Sequence, residues 1–146
     1  MNFVLDASVA ASWLLADGLP KDVAYATGIL RSLQSAEATA HVPVIWSAEV
    51  ANVVRRVQSK SWVSRARCGD FVTLLNNLGI ATDLESCGLA LTDTLQLALK
   101  YNLSAYDASY LELSMRRAVP LATLDQDLIK AARKAGIKRM ANRAYE

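Results

Sequence analysis

Four acidic residues sit where carboxylates could act together. Asp6 ends the apolar stretch FVL near the start of the chain, and Asp125 follows a second short apolar stretch, LAT at 121–123. A carboxylate at the end of a buried strand needs a partner, because burying an unpaired charge is costly. A divalent cation is one such partner, and hard oxygen donors are what Mg2+ and Mn2+ take. Asp107 follows Ser104 at the S-x-x-D spacing of a capping box, so helix capping alone would account for it. Glu49 lies next to Val50, at the border of an apolar helical stripe, where an ordinary surface glutamate is the plain alternative. Taken singly these are weak signals. As a set they suit a site that holds cations for in-line displacement at a phosphate. Crowded carboxylates repel one another unless cations compensate.

The rest of the composition removes other chemistries. His41 is the single histidine, so no two-His zinc site exists and any His-based triad would have to use it. At the start of a strand it is expected to be structural. The six glycines are scattered, with no GxGxxG and no Walker A loop, which argues against dinucleotide and P-loop chemistry. Cys68 and Cys87 form no CxxC and are expected as reduced, small, buried or half-buried side chains. No apolar run approaches the ~20 residues of a membrane span, and no targeting segment is evident, so a cytoplasmic location is expected.

The elements that must position these acids alternate between strand and helix. Strands are expected at 2–6, 40–42, 80–84 and 121–123, with a further one at 137–140. Helices are expected from Ser8, as N-cap, to about 16, then at 21–35, 44–60, 64–78, 88–100, 104–117 and 126–135. Gly79 and Gly136 mark two helix ends. Such alternation predicts an α/β fold: one domain over 1–146, a single-domain α/β/α sandwich with a short, mostly parallel sheet. In such a sheet ligands bind beyond the carboxyl ends of the strands, the edge that carries Asp6 and Asp125.

The formal net charge of +2 decides nothing, but its distribution is informative. Arg55, Arg56, Lys60, Arg65 and Arg67 form one acid-free basic stretch. Lys130, Arg133, Lys134, Lys138, Arg139 and Arg143 form another. Basic patches beside an acidic site suit a polyanion held near a metal, and two solvated helix faces are the alternative. Arg55, Arg56, Lys130 and Arg133 are the candidates for phosphate contact.

Four segments in chain order, VLDASVAASWLL, PVIWSAEVANVV, LSAYDASYLELS and PLATLDQDLIKAA, resemble the PIN-domain family. Within it they most resemble the VapC-type toxin ribonucleases of bacterial toxin–antitoxin pairs. The resemblance implies an α/β/α nuclease whose catalytic metal ligands are Asp6, Glu49, Asp107 and Asp125. Ser8, Thr123 and Asn52 take supporting polar roles, and Asp127 is either a further acid behind the ligands or a helix N-terminal charge. It implies Mg2+ or Mn2+ as cofactor, RNA as substrate, a homodimer, and a cognate antitoxin protein as partner. Trp13, Trp46 and Trp62 supply more aromatic surface than a small helical layer needs, so some are expected half exposed at such contacts. The rival readings are a metal-dependent phosphatase or phospho-acceptor α/β domain, and a non-catalytic PIN-like binding module. A haloacid dehalogenase-like phosphatase wants an acid at position 8, where this chain has Ser8, and a receiver domain wants a strand-end lysine that is not evident.

Overall fold

A computed structural model of the chain describes residues 1–142. Phe3, Val4 and Leu5 of β1 (Asn2–Leu5) are all fully buried. Alternate strand residues point to opposite faces, so both faces of the sheet are covered there. β2 (Thr39–Pro43), β3 (Ala81–Asp83) and β4 (Leu121–Ala122) complete a four-stranded, all-parallel sheet in the order β3-β2-β1-β4. The expected last strand is reduced to one parallel bridge between Leu121 and Arg139, with Leu121 N–H donating to Lys138 O and Met140 N–H to Leu121 O.

The helices are α1 (Ala7–Leu15), α2 (Pro20–Gln34), α3 (Trp46–Ser59), α4 (Arg65–Asn77), α5 (Ser86–Leu89), α6 (Leu95–Tyr101), α7 (Ala105–Arg117) and α8 (Gln126–Lys134). The hydroxyls of Ser64 and Ser104 cap α4 and α7, and the carboxylate of Asp125 caps α8, each accepting a backbone N–H three residues on. Gly136 follows α8 at φ 77°, a left-handed conformation that favours glycine. The helix expected over 88–100 is interrupted by a π-helical turn, Ala90–Thr94, between α5 and α6. Along the turn and α6, Thr94 and Ala98 are buried while Leu91 and Leu99 face solvent.

From β1 the chain steps outward to β2 and β3, then crosses back so that β4 lies on the other side of β1. The connection therefore reverses between β1 and β4, which opens a crevice at their carboxyl ends. Asp6 and the 123–125 segment occupy that crevice.

Candidate metal centre

The Asp6 backbone N–H donates to Ala122 O at 2.9 Å, joining the ends of β1 and β4. The Asp6 side chain is only 4% exposed. Two hydroxyls donate to its Oδ2, Ser8 at 2.6 Å and Thr123 at 2.7 Å. Ser8 is not the cap of α1. It lies inside the helix, and Asp6 occupies the cap position without a side-chain bond. The Ser8 hydroxyl instead serves Asp6 and accepts Leu124 N–H at 3.0 Å. Thr123 Oγ1 likewise accepts Asp125 N–H at 3.0 Å, and Asp125 Oδ1 accepts Leu128 N–H at 2.8 Å. Arg139 donates to the Thr123 carbonyl at 3.0 Å.

The other two acids arrive from helices. Glu49 lies in the first turn of α3, and its Oε1 accepts the Tyr110 hydroxyl at 2.6 Å. Asp107 lies in the first turn of α7, where its N–H donates to Ser104 Oγ at 3.1 Å. The cap role and the site role therefore coincide at Asp107.

The acids are close enough to repel one another. Burial lifts the Asp6 carboxyl to about 6 against the pull of Ser8 and Thr123, and the charges of Glu49 and Asp125 add to the rise. Burial lifts Asp107 to about 6 as well, helped by the charges of Asp125 and Asp6 and, more weakly, of Asp127. Glu49 is raised by burial, opposed by the Tyr110 hydroxyl and reinforced by Asp107. Asp6 thus feels Glu49 and Asp125, and Asp107 feels Asp125 and Asp6.

The donor set fits a hard divalent cation. Asp6 Oδ2, Glu49 Oε1 and Asp125 Oδ1 are each tied by the protein, and the second oxygen of each carries no hydrogen bond among the described residues. Ion pairs among the described residues all belong to Arg116 and Arg117, so no described side-chain cation pairs with the cluster. No three His, Cys, Asp or Glu side chains among the described residues close around an ion unaided. Mg2+ does not require such a cage, since it keeps several waters and takes one or two carboxylates.

The remaining candidates fall at varying distance from this crevice. Asn52 is exposed on α3, one turn after Glu49. Asp127 is exposed in the first turn of α8 and lines a cavity of about 440 Å³ with Lys100, Lys130 and Lys134. Arg133 lines a different cavity with Tyr25 and Arg139. Arg55 borders an apolar groove between α3 and α4, formed by Trp46, Val50, Val54, Val72 and Leu75. Arg56 is exposed.

His41 lies away from the four acids. Its Nε2 is 3.1 Å from Asn2 Oδ1 at the opposite end of β1 from Asp6, and burial and the Arg117 charge lower its pKa. Cys68 is buried but Cys87 is exposed, against expectation. Trp46 is buried, Trp13 is half-buried with Nε1 donating to Ala26 O, and Trp62 is 59% exposed. Sequence reasoning missed Tyr110, although it lies one helical turn after Asp107 and so on the same face of α7. It also missed the Arg116 network on Asp83, Glu85 and Glu112.

Comparison with known proteins agrees with this fold. A crystal structure of PAE2754 from Pyrobaculum aerophilum superposes with a TM-score of 0.64 at 17% sequence identity, covering 90% of this chain and 79% of that one. At that identity the likeness shows the fold. No curated protein sequence matches the chain. Residues 3–134 match the family model of the PIN domain, and the chain belongs to that family, whose members are typically metal-dependent nucleases.

Proposed function

We propose that this chain is a Mg2+- or Mn2+-dependent endoribonuclease, hydrolysing RNA phosphodiester bonds as the toxin of a toxin–antitoxin pair. One observation carries the catalytic part. Three acids from three elements each have one oxygen fixed by a protein hydrogen bond and the other unengaged, around a crevice where Asp107 adds a fourth charge. When bound, the cation supplies Lewis-acid chemistry at the phosphodiester. The chain supplies the frame. Ser8 and Thr123 orient Asp6, the amide of Leu128 orients Asp125, and Tyr110 orients Glu49. Burial raises Asp6 and Asp107 to about 6, so protons compete with a cation for these two carboxylates as pH falls toward 6.

Basic side chains hold the RNA backbone by phosphate contacts, which position without specifying sequence. On α3, Arg56 follows Glu49 by seven residues, within about 20° of the same stripe, whereas Arg55 is turned by about 120°. Arg56, Lys130 and Lys134 therefore flank the crevice better than Arg55. The apolar groove beside Arg55 suits a hydrophobic antitoxin segment, and exposed Trp62 and Leu91 suit contacts in a homodimer. No helix among the described residues is long and apolar enough to cross a membrane. The test is cleavage of single-stranded RNA with Mn2+ by the wild type and by Asp6→Asn. Equal cleavage by the two sinks the assignment.

A further inference from the structure

Tyr110 is the largest fully buried side chain of the fold, yet it ends in a hydroxyl. Buried hydroxyls take partners, and the partner here is specific. The hydroxyl donates to Glu49 Oε1 at 2.6 Å across 61 positions of sequence, and its oxygen is also within reach of the Ala7 amide. Three segments meet at this one atom. Ala7 follows Asp6 at the end of β1, Tyr110 sits one turn after Asp107 on α7, and Glu49 stands at the start of α3. A phenol offers a single proton, so the bond fixes one carboxylate oxygen and leaves the other available.

We propose that Tyr110 is a positioning residue of the metal centre: its hydroxyl locks the Glu49 carboxylate so that Oε2 faces the crevice shared with Asp6, Asp107 and Asp125. A glutamate has three side-chain torsions, and Glu49 is only half-buried, so without this bond its carboxylate samples solvent. Ser8 and the Leu128 amide do the same for the two aspartates from two and three positions away, and Thr123 adds a distant second donor to Asp6. Glu49 has no such local partner, and α7 supplies one from the helix that also presents Asp107. The inference rests on the reading of the acid crevice as a metal site.

The experiment is calorimetric titration of Mn2+ into the full chain, comparing wild type, Tyr110→Phe, Glu49→Gln and the double variant. Phenylalanine keeps the buried ring and deletes one oxygen. Tyr110→Phe is expected to bind Mn2+ about 10- to 100-fold more weakly, the range for losing a partner behind a metal ligand. In the Glu49→Gln background the same change is expected to add no further loss, because the carboxylate it positions is gone. A merely structural tyrosine would weaken binding equally in both backgrounds. That result, equal binding by Tyr110→Phe and wild type, or a Phe variant that does not fold each overturns the inference. Saturable Mn2+ binding by the wild type with an unaffected Tyr110→Phe leaves the metal site standing and removes Tyr110 alone. No Mn2+ binding by the wild type removes both.

Discussion

Thr123 Oγ1 stands 2.7 Å from Asp6 Oδ2, although 117 positions separate the two residues. The same oxygen accepts Asp125 N–H at 3.0 Å, so one hydroxyl couples two acids of the crevice. Thr123 is 1% exposed, and no solvent can replace it. Thr123→Val keeps the shape and removes the hydroxyl. It is expected to weaken Mn2+ binding about 10- to 100-fold and to destabilise the fold by roughly 1–3 kcal/mol, the cost of leaving buried groups unsatisfied. Titration calorimetry and urea unfolding measure the two effects. A variant equal to wild type in both would show that the bond is incidental.

Asp6→Asn separates chemistry from folding. Burial has already lifted the Asp6 carboxyl from its ordinary value of 3.8 to about 6, so at neutral pH the fold carries a destabilising charge. The amide removes that charge and still accepts a hydroxyl. The variant is expected to lose RNA cleavage and, in metal-free buffer at pH 7, to unfold later by on the order of 1–3 kcal/mol. A melting temperature below that of the wild type would contradict the electrostatic account.

Most of the architecture could be anticipated from local pattern, and the reason is physical. Alternating apolar runs, the caps Ser64 and Ser104 and the stop at Gly136 act over a few residues, so short windows of sequence reveal them. The acids were visible because each sits at an element end. Of their partners, Ser8 and Thr123 came only through the family resemblance, and Tyr110 behind Glu49 was not visible at all. Tyr110 meets Glu49 across 61 positions and Arg116 meets Asp83 across 33, distances over which no periodicity speaks. Ser8 has the right residue type for a cap, but the chain enters α1 two residues earlier, with Asp6 at the cap position, and the Ser8 hydroxyl is thereby aimed at Asp6. The π turn at Ala90–Thr94 contains Thr92, Asp93 and Thr94, three weak helix formers, but propensity does not tell a π turn from an α turn.

Proton competition gives a pH dependence with a definite sign. Asp6 and Asp107 are both raised to about 6, so between about pH 4 and 6 the folded protein holds protons that the unfolded chain has released. Stability contributed by these groups is full below the unfolded value and falls as pH rises through 6. Mn2+ binding runs the other way, because the ligands must be deprotonated. Affinity is expected to drop about tenfold per pH unit for each proton displaced once pH falls below 6. Titrations at pH 5, 6 and 7.5 check this, and a flat profile would refute it.

The opposite sign applies at Asp83. Hydrogen bonding from Arg116 outweighs burial and lowers its pKa. Arg116 also bonds Glu112 at 2.7 Å, and both carboxylates are nearly buried, so this pair of contacts ties β3 to the end of α7. Arg116→Met leaves two buried acids with Arg117 alone, at 3.4 Å from Asp83. The expected loss is roughly 3 kcal/mol, the low end for breaking a buried pair because Arg116 is partly exposed. The loss is present at pH 5 and above and shrinks below about pH 4, as Asp83 protonates. Urea unfolding at pH 7 and pH 3 shows whether the gap closes.

The two arginines of α3 should behave differently toward RNA. Arg56 shares the stripe of Glu49, and Arg55 borders the apolar groove with Trp46 and Val72. A phosphate contact releases counterions, so binding weakens with salt at a log–log slope of about −0.7 per contact on single strands. In an Asp107→Asn background, where RNA survives the measurement, Arg56→Ala is expected to flatten that slope by about 0.7 and to weaken all sequences similarly. Arg55→Ala is expected to leave the slope unchanged, because its head lies around the helix from the crevice. Lys130 and Lys134 share one cavity with Asp127, whose charge reaches Asp107, so replacing both with alanine should flatten the slope by about twice as much as Arg56→Ala. Fluorescence anisotropy at four salt concentrations resolves these slopes. If Arg55→Ala flattens the slope and Arg56→Ala does not, the strand lies over the groove between α3 and α4, and the antitoxin segment must bind elsewhere.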